Sequence, residues 1–182
     1  MKFVHVAATH HDLSLPDPFP NRIWNDFTAP RVRFAATIAG EERLRVIADG
    51  GGFRVRDGHT HPLTAEQLAA EHTWWETNLY RTFHRLAVAD PALSVRAVGE
   101  HRLEIFRADG SRLNWLLLNR RGEPIRFAPG ASEQAGIFGP LADGPGGIRY
   151  PRWGTSHDGA FRYEITRFET AAHVPPTVSF TP

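Results

Sequence analysis

No cysteine occurs anywhere in the chain. That excludes a disulfide, a thiolate nucleophile and a cysteine-ligated metal, and it leaves the redox compartment open. Lysine is nearly as scarce: Lys2 is the single example, so positive charge is carried by arginine. The net charge is only +1, far from the basic excess of a dedicated nucleic-acid binder. No apolar run approaches the length of a membrane span, so no integral membrane segment is expected. The opening MKFVHVAATHHDL lacks the basic, apolar and small-residue regions of a secretory signal. With Met1 as the natural start the protein is expected in the cytoplasm; if an export signal has been removed, in the periplasm. Also missing are the G-x-S-x-G, H-E-x-x-H, Walker and dinucleotide fingerprints. No cofactor is therefore expected.

What is present is the material of a β domain. Hydrophobic residues make up 41% of 182, enough for one well-filled domain over residues 1–182. Fourteen prolines and sixteen glycines imply many turns. Lys2 to Thr9 reads as a strand, Leu13 to Asn21 as a proline-rich loop, and Arg22 to Phe27 as a short strand. Val32, Phe34, Ala36 and Ile38 then alternate with Arg31, Arg33 and Thr37. Leu44 and Val46 alternate with Arg43 and Arg45, and Phe53 and Val55 with Arg54 and Arg56. Period two with one apolar face marks half-buried strands, and the short AGEE and ADGGG connections make them a meander.

The period then changes. Thr64-Ala65-Glu66-Gln67 has the spacing of a capping box. Leu68, His72, Trp75, Leu79, Phe83 and Leu86 follow at helical spacing, predicting one amphipathic helix from about Thr64 to Leu86. After Asp90-Pro91 the strand pattern returns at Ser94–Gly99, His101–Ala108, Arg112–Asn119 and Glu123–Phe127. Residues 128–147, APGASEQAGIFGPLADGPGG, read as a long loop. Ile148–Trp153, Phe161–Phe168 and Thr177–Phe180 complete the strands. Many strands interrupted by one helix exclude a doubly wound α/β sheet. The expected fold is mainly β: a single curled antiparallel sheet, an open or half barrel, wrapped around one central helix.

Three stretches carry a family resemblance: ADGGGFRVRDGHTHPLTAEQLA, RLEIFRADGSRLNWLLLNRRGEPIRF, and GGIRYPRWGTSHDGAFRYEITRFETAAHVPPTVSFTP. Their hairpins and the entry into a helix resemble the LolA-like and LppX-like outer-membrane lipoprotein carriers. The resemblance covers roughly half the chain. It implies an open barrel with an inner helix, a hydrophobic cavity, and the carriage of lipid or acyl groups without catalysis.

The residues themselves suggest where a ligand would sit. Ligand pockets are mostly apolar and aromatic. Trp24, Trp74, Trp75, Tyr80, Phe83, His84 and Trp115 are the expected ligand-binding residues; plain core packing is the competing account of the same rings. His10-His11-Asp12 and His59-Thr60-His61 are the local histidine clusters. His59 and His61 would share a strand face, but a third ligand has no evident source, and no metal is expected. Glu76, Tyr80 and His84 would share one side of the helix, either as candidates for acid–base chemistry or as a polar flank in water. Arg31, Arg33, Arg43, Arg45, Arg54 and Arg56 are expected on one face of the meander, an outer face balanced by Glu41, Glu42 and Asp49 or an anion-facing stripe.

Three functions compete. The first is binding of a lipid or other apolar small molecule in a sheet-and-helix cup, as a carrier or sensor. The second is a cofactor-free cyclase or isomerase using the same cup on an apolar substrate. The third is an interaction module using the arginine face. No catalytic residue is assigned, and no nucleic-acid partner is expected.

Overall fold

The computed structural model describes residues 2–48 and 50–181. The N-terminal half is a meander of six strands: β1 (Phe3–Asp12), β2 (Phe19–Asp26), β3 (Arg31–Ile38), β4 (Glu41–Ala48), β5 (Gly51–Arg56) and β6 (His59–Pro62). Ala39-Gly40 joins β3 to β4 and Asp57-Gly58 joins β5 to β6, all four residues at positive φ. That is the turn geometry that matches the twist of paired strands, and it explains why a DG pair is placed there. Two helices follow, α1 (Ala65–Glu76) and α2 (Leu79–Ala87). The second half comprises β7 (Leu93–Val98), β8 (Arg102–Arg107), β9 (Arg112–Leu118), β10 (Pro124–Pro129), β11 (Gly136–Phe138), β12 (Leu141–Asp143), β13 (Arg149–Pro151), β14 (Trp153–Thr155) and β15 (Phe161–Ala171).

Among the described residues, thirteen strands form one open antiparallel sheet in the order β6-β5-β4-β3-β2-β1-β15-β14-β11-β10-β9-β8-β7, and β12 and β13 form a separate ribbon. The two halves of the chain join where β1 pairs with β15. The sheet edges are β6 and β7, the strands that flank the helices in sequence. The helical segment therefore carries the chain from one edge of the sheet to the other.

Packing shows that the sheet curls. Trp75 of α1 clusters with Val32 and Ile47 of β3 and β4, while Leu79 of α2 clusters with Ile105, Leu113 and Leu116 of β8 and β9. In a flat sheet β3 and β9 would be seven strand spacings apart, about 34 Å. Trp75 and Leu79 are four residues apart in sequence, which spans at most about 14 Å of chain. Only a sheet bent around the helices meets both residues. Asn114 of β9 donates to Thr82 Oγ1 of α2 at 2.6 Å, and both are fully buried, which fixes the rotation of α2 on the sheet.

Several expectations from sequence need correction. The expected helix over 64–86 is two helices. Its start is as read: Thr64 and Gln67 form the capping box. It breaks at Thr77-Asn78 because Asn78 leaves helical geometry (φ −56°, ψ 132°), and its side chain accepts from the N–H groups of Tyr80 and Arg81. Asparagine competes for backbone N–H groups in this way and starts helices well. The break divides the apolar stripe: Leu68 and Trp75 pack on the N-terminal half of the sheet, and Leu79, Phe83 and Leu86 on the C-terminal half. Next, residues 128–147 are not wholly loop, since Gly136–Phe138 joins the main sheet as β11 and Leu141–Asp143 pairs in the ribbon. Likewise Phe19–Asn21 belong to β2, with Pro20 opposite Thr9. Thr177–Phe180, expected as a closing strand, forms none: β15 ends at Ala171 and the chain beyond it runs as bends and a turn.

The six arginines do not share a face. Register places Val32 opposite Ile47 and Phe34 opposite Arg45, so Arg43 and Arg45 lie on the helix-facing side with those apolar residues. Arg45 stands opposite Arg54, which carries Arg54 and Arg56 to the same side. Arg31 and Arg33 alternate with Val32 and Phe34 and lie on the opposite side, where Arg33 donates to the Ser179 carbonyl at 3.1 Å. Asp49, read as one of the balancing acids, lies outside the described residues.

Candidate functional site

Alternation places one set of side chains on the inner face of the curled sheet. On β1 these include Val4 and Val6; on β2, Ile23 and Asn25; on β15, Phe161, Tyr163 and Ile165. Phe127 of β10 and Phe138 of β11 come from the other half of the sheet. Between this surface and the Thr77-Asn78 turn lies a cavity of about 330 Å³. Trp74, Leu79 and Tyr80 close it from the helix side. Most of the wall surface is apolar, though Asn25, Thr77, Asn78, Thr155 and Ser156 also line it, and the cavity's size is near the lower end of the ~300–1,000 Å³ usual for small-molecule pockets. It is room for one small molecule or one chain.

The polar exceptions are informative. Asn25 lines the cavity at 1% exposure, and neither its amide nitrogen nor its carbonyl oxygen has a partner among the described residues. An unpartnered buried amide is costly, and a ligand oxygen or hydroxyl would relieve it. Tyr80 and Tyr163 also line the cavity, and burial raises both phenols above their ordinary pKa, so they face the cavity as neutral hydroxyls.

The residues expected to bind a ligand are thus sorted by the structure. Trp74 and Tyr80 reach the cavity wall. Trp75 is core: 7% exposed, its indole N–H donates to the Asp26 carbonyl at 2.7 Å and Arg81 stacks on its ring. Phe83 packs in the cluster around Leu79 and Ile105. His84 stacks on Phe27 and is not part of the wall; burial lowers its pKa, assisted by Arg81. Trp24 and Trp115 lie on the outer face. The ring of Trp24 stacks on His5 at 4.7 Å. Trp115 packs with Ala128 and Ala135 under Arg102 and donates to the Ser132 carbonyl. In each case a single-residue step along a strand decides the face.

The inner-face residues Asn25, Phe127, Phe138, Phe161, Tyr163 and Ile165 were missed by reasoning on tryptophans. The alternation in Phe161-Arg162-Tyr163-Glu164-Ile165 was the available signal for three of them. The side shared by Glu76, Tyr80 and His84 in a continuous helix does not exist, because the break intervenes. Glu76 pairs with Arg81 and Arg85, at 3.2 and 3.4 Å, away from the cavity. His59 and His61 are on β6, directly opposite Arg56 and Arg54. Among the described residues no group of three or more His, Cys, Asp or Glu is placed to hold a metal ion.

No protein-family model matches the sequence, and no curated protein does. Solved structures that resemble the chain include a domain described as an outer membrane lipoprotein-sorting protein from Vibrio parahaemolyticus, at TM-score 0.40 and 5% identity, covering 96% of this chain and 87% of that one. Another is a chain of the Pseudomonas aeruginosa MucA/MucB complex, at TM-score 0.34 and 17% identity. It covers 96% of this chain, which spans about half of that chain's length, 53%.

Proposed function

We propose that the chain is a binding protein that holds one apolar small molecule, such as a lipid acyl chain, in the cavity beneath the Thr77-Asn78 turn. The observation that carries this reading is the cavity wall: aromatic and aliphatic side chains from both halves of the sheet, with Asn25 as a single unpartnered amide. A ligand burying roughly 300 Å² of apolar surface gains about 7.5 kcal/mol before the cost of association. Affinity is therefore expected at micromolar strength or weaker. Holding rather than converting fits the separation of Glu76 and His84 from the cavity, since neither lines it.

The test is displacement of a fluorescent fatty-acid probe, with native mass spectrometry of the freshly purified protein alongside. The wild type is expected to bind the probe and quench tryptophan emission through Trp74. Ile165→Trp, which fills the cavity from β15, is expected to abolish binding while the protein stays folded. Absence of probe and co-purified ligand from folded wild type would sink the reading.

A further inference from the structure

Beside the apolar cavity, the inner face changes character. Across β3, β4, β5 and β6 the register sets Phe34, Arg45, Arg54 and His61 in one row. Two steps along, Arg43 and Arg56 occupy the same face. These side chains surround an open recess of about 730 Å³ at the start of α1. Like charges directly opposite each other on paired strands destabilise a sheet. Here four guanidinium groups are gathered, and the carboxylate set among them is Glu71 of α1, 3.1 Å from Arg45 and 3.8 Å from Arg54. Arg43 comes only within 3.9 Å of Glu41, at the rim, and Arg56, which also lines the recess, has no carboxylate partner among the described residues. The Nε–H groups of Arg43 and Arg45 are buried and have no acceptor among the described residues.

We propose that this recess is a binding site for an oxyanion, a phosphate or a carboxylate. Guanidinium groups offer paired N–H donors in the planar fork that such groups accept, and arginine gathers where they are recognised. The surplus of positive charge over carboxylate is what an anion would neutralise. The site adjoins the apolar cavity. Phe34 lines the recess and packs on Trp74 at 5.0 Å, and Trp74 lines the cavity. The oxyanion is therefore either free in solution or the head of an amphiphile whose tail lies in the cavity; the second source rests on the binding function proposed above.

Calorimetric titration with sodium phosphate, dodecyl phosphate and dodecanol separates these. Dodecyl phosphate is expected to bind at least about tenfold tighter than dodecanol, the weight of one added charge-assisted contact. In Arg43→Gln/Arg56→Gln that advantage should vanish while dodecanol binding is unchanged; neither arginine pairs with Glu71, so the double variant should keep its fold. Arg54→Gln is the second variant, expected to act in the same direction. Phosphate binding without dodecanol binding supports the anion site and removes the apolar one. If neither phosphate nor dodecyl phosphate gains anything from the arginines, the anion site is refuted, whether or not dodecanol binds.

Discussion

Arg45 and Arg54 face each other directly across β4 and β5, and the Glu71 carboxylate from α1 reaches both. Glu71 is 6% exposed. One buried acid thus ties the first helix to a pair of strands that would otherwise repel. Burial lowers the pKa of Arg45 and the nearby Arg54 adds to that, while Glu71 opposes it. The balance holds the arginine charged on the inner face.

Glu71→Gln is expected to destabilise the protein by about 1–3 kcal/mol, less than the ~3–5 kcal/mol for breaking a fully buried pair. The reduction follows from solvent screening, because the arginine side chains are 36% and 44% exposed. Urea denaturation measures it. Added salt should recover part of the loss by screening the two arginines; a salt-independent loss would point to packing instead.

Asn78→Ala is expected to cost about 1 kcal/mol through loss of the cap on α2. The break also sets the roof of the cavity, so probe affinity should fall with stability. If the variant binds the probe as the wild type does at equal folded fraction, the turn does not shape the site.

Tyr80→Ala is a poor test of ligand contact. Tyr80 packs on Phe168, 5.2 Å between ring centroids, and joins the cluster of Val4, Val6 and Phe27. Removing it is expected to cost about 3 kcal/mol, as for other large aromatic truncations. Trp74→Leu is the better variant. It keeps an apolar side chain at a half-buried position and should weaken probe binding with a melting temperature lowered by only a few degrees, as about 1 kcal/mol would give.

His10 provides a pH signature. It is buried against Phe19, Phe161 and Tyr163. Burial first, and His11 second, lower its pKa from 6.5 to about 4. The unfolded chain takes up this proton near pH 6.5 and the folded chain only near pH 4. Between those values the unfolded state binds more protons, so stability falls as the pH drops through that window, by roughly 3 kcal/mol from this group. Above pH 7 the contribution is complete. His10→Phe is expected to flatten the decline; equal slopes in the two proteins between pH 7 and 4 would exclude His10 as its source.

Local rules were legible without the structure. The period-two runs became β3, β4 and β5, the Asp57-Gly58 pair turns β5 back into β6, and the Thr64/Gln67 box starts α1. Asn78 was legible in principle, as an N-cap residue inside a helical pattern. It was overlooked because the apolar spacing from Leu68 to Leu86 continues across it without interruption. β11 and β12 were hidden for the opposite reason. Each is three residues long among glycines and prolines, too short to show a period.

The amino-acid sequence by itself determined the composition of this protein's surfaces: cysteine-free, arginine-rich, with aromatic side chains on alternating strands and one helical segment. It could not determine which face each strand presents, because alternation within a strand fixes only relative parity. Arg33 and Arg45 occupy the same kind of R-x-R pattern, yet one meets the C-terminal segment and the other meets Glu71. Ile23 and Trp24 are neighbours on one strand and both apolar, yet Trp24 lies outside the sheet and Ile23 lines the cavity. Those assignments come from register between strands and from the curl that brings β3 and β9 to adjacent turns of helix. Both are set by long-range pairing and packing, which no local window contains.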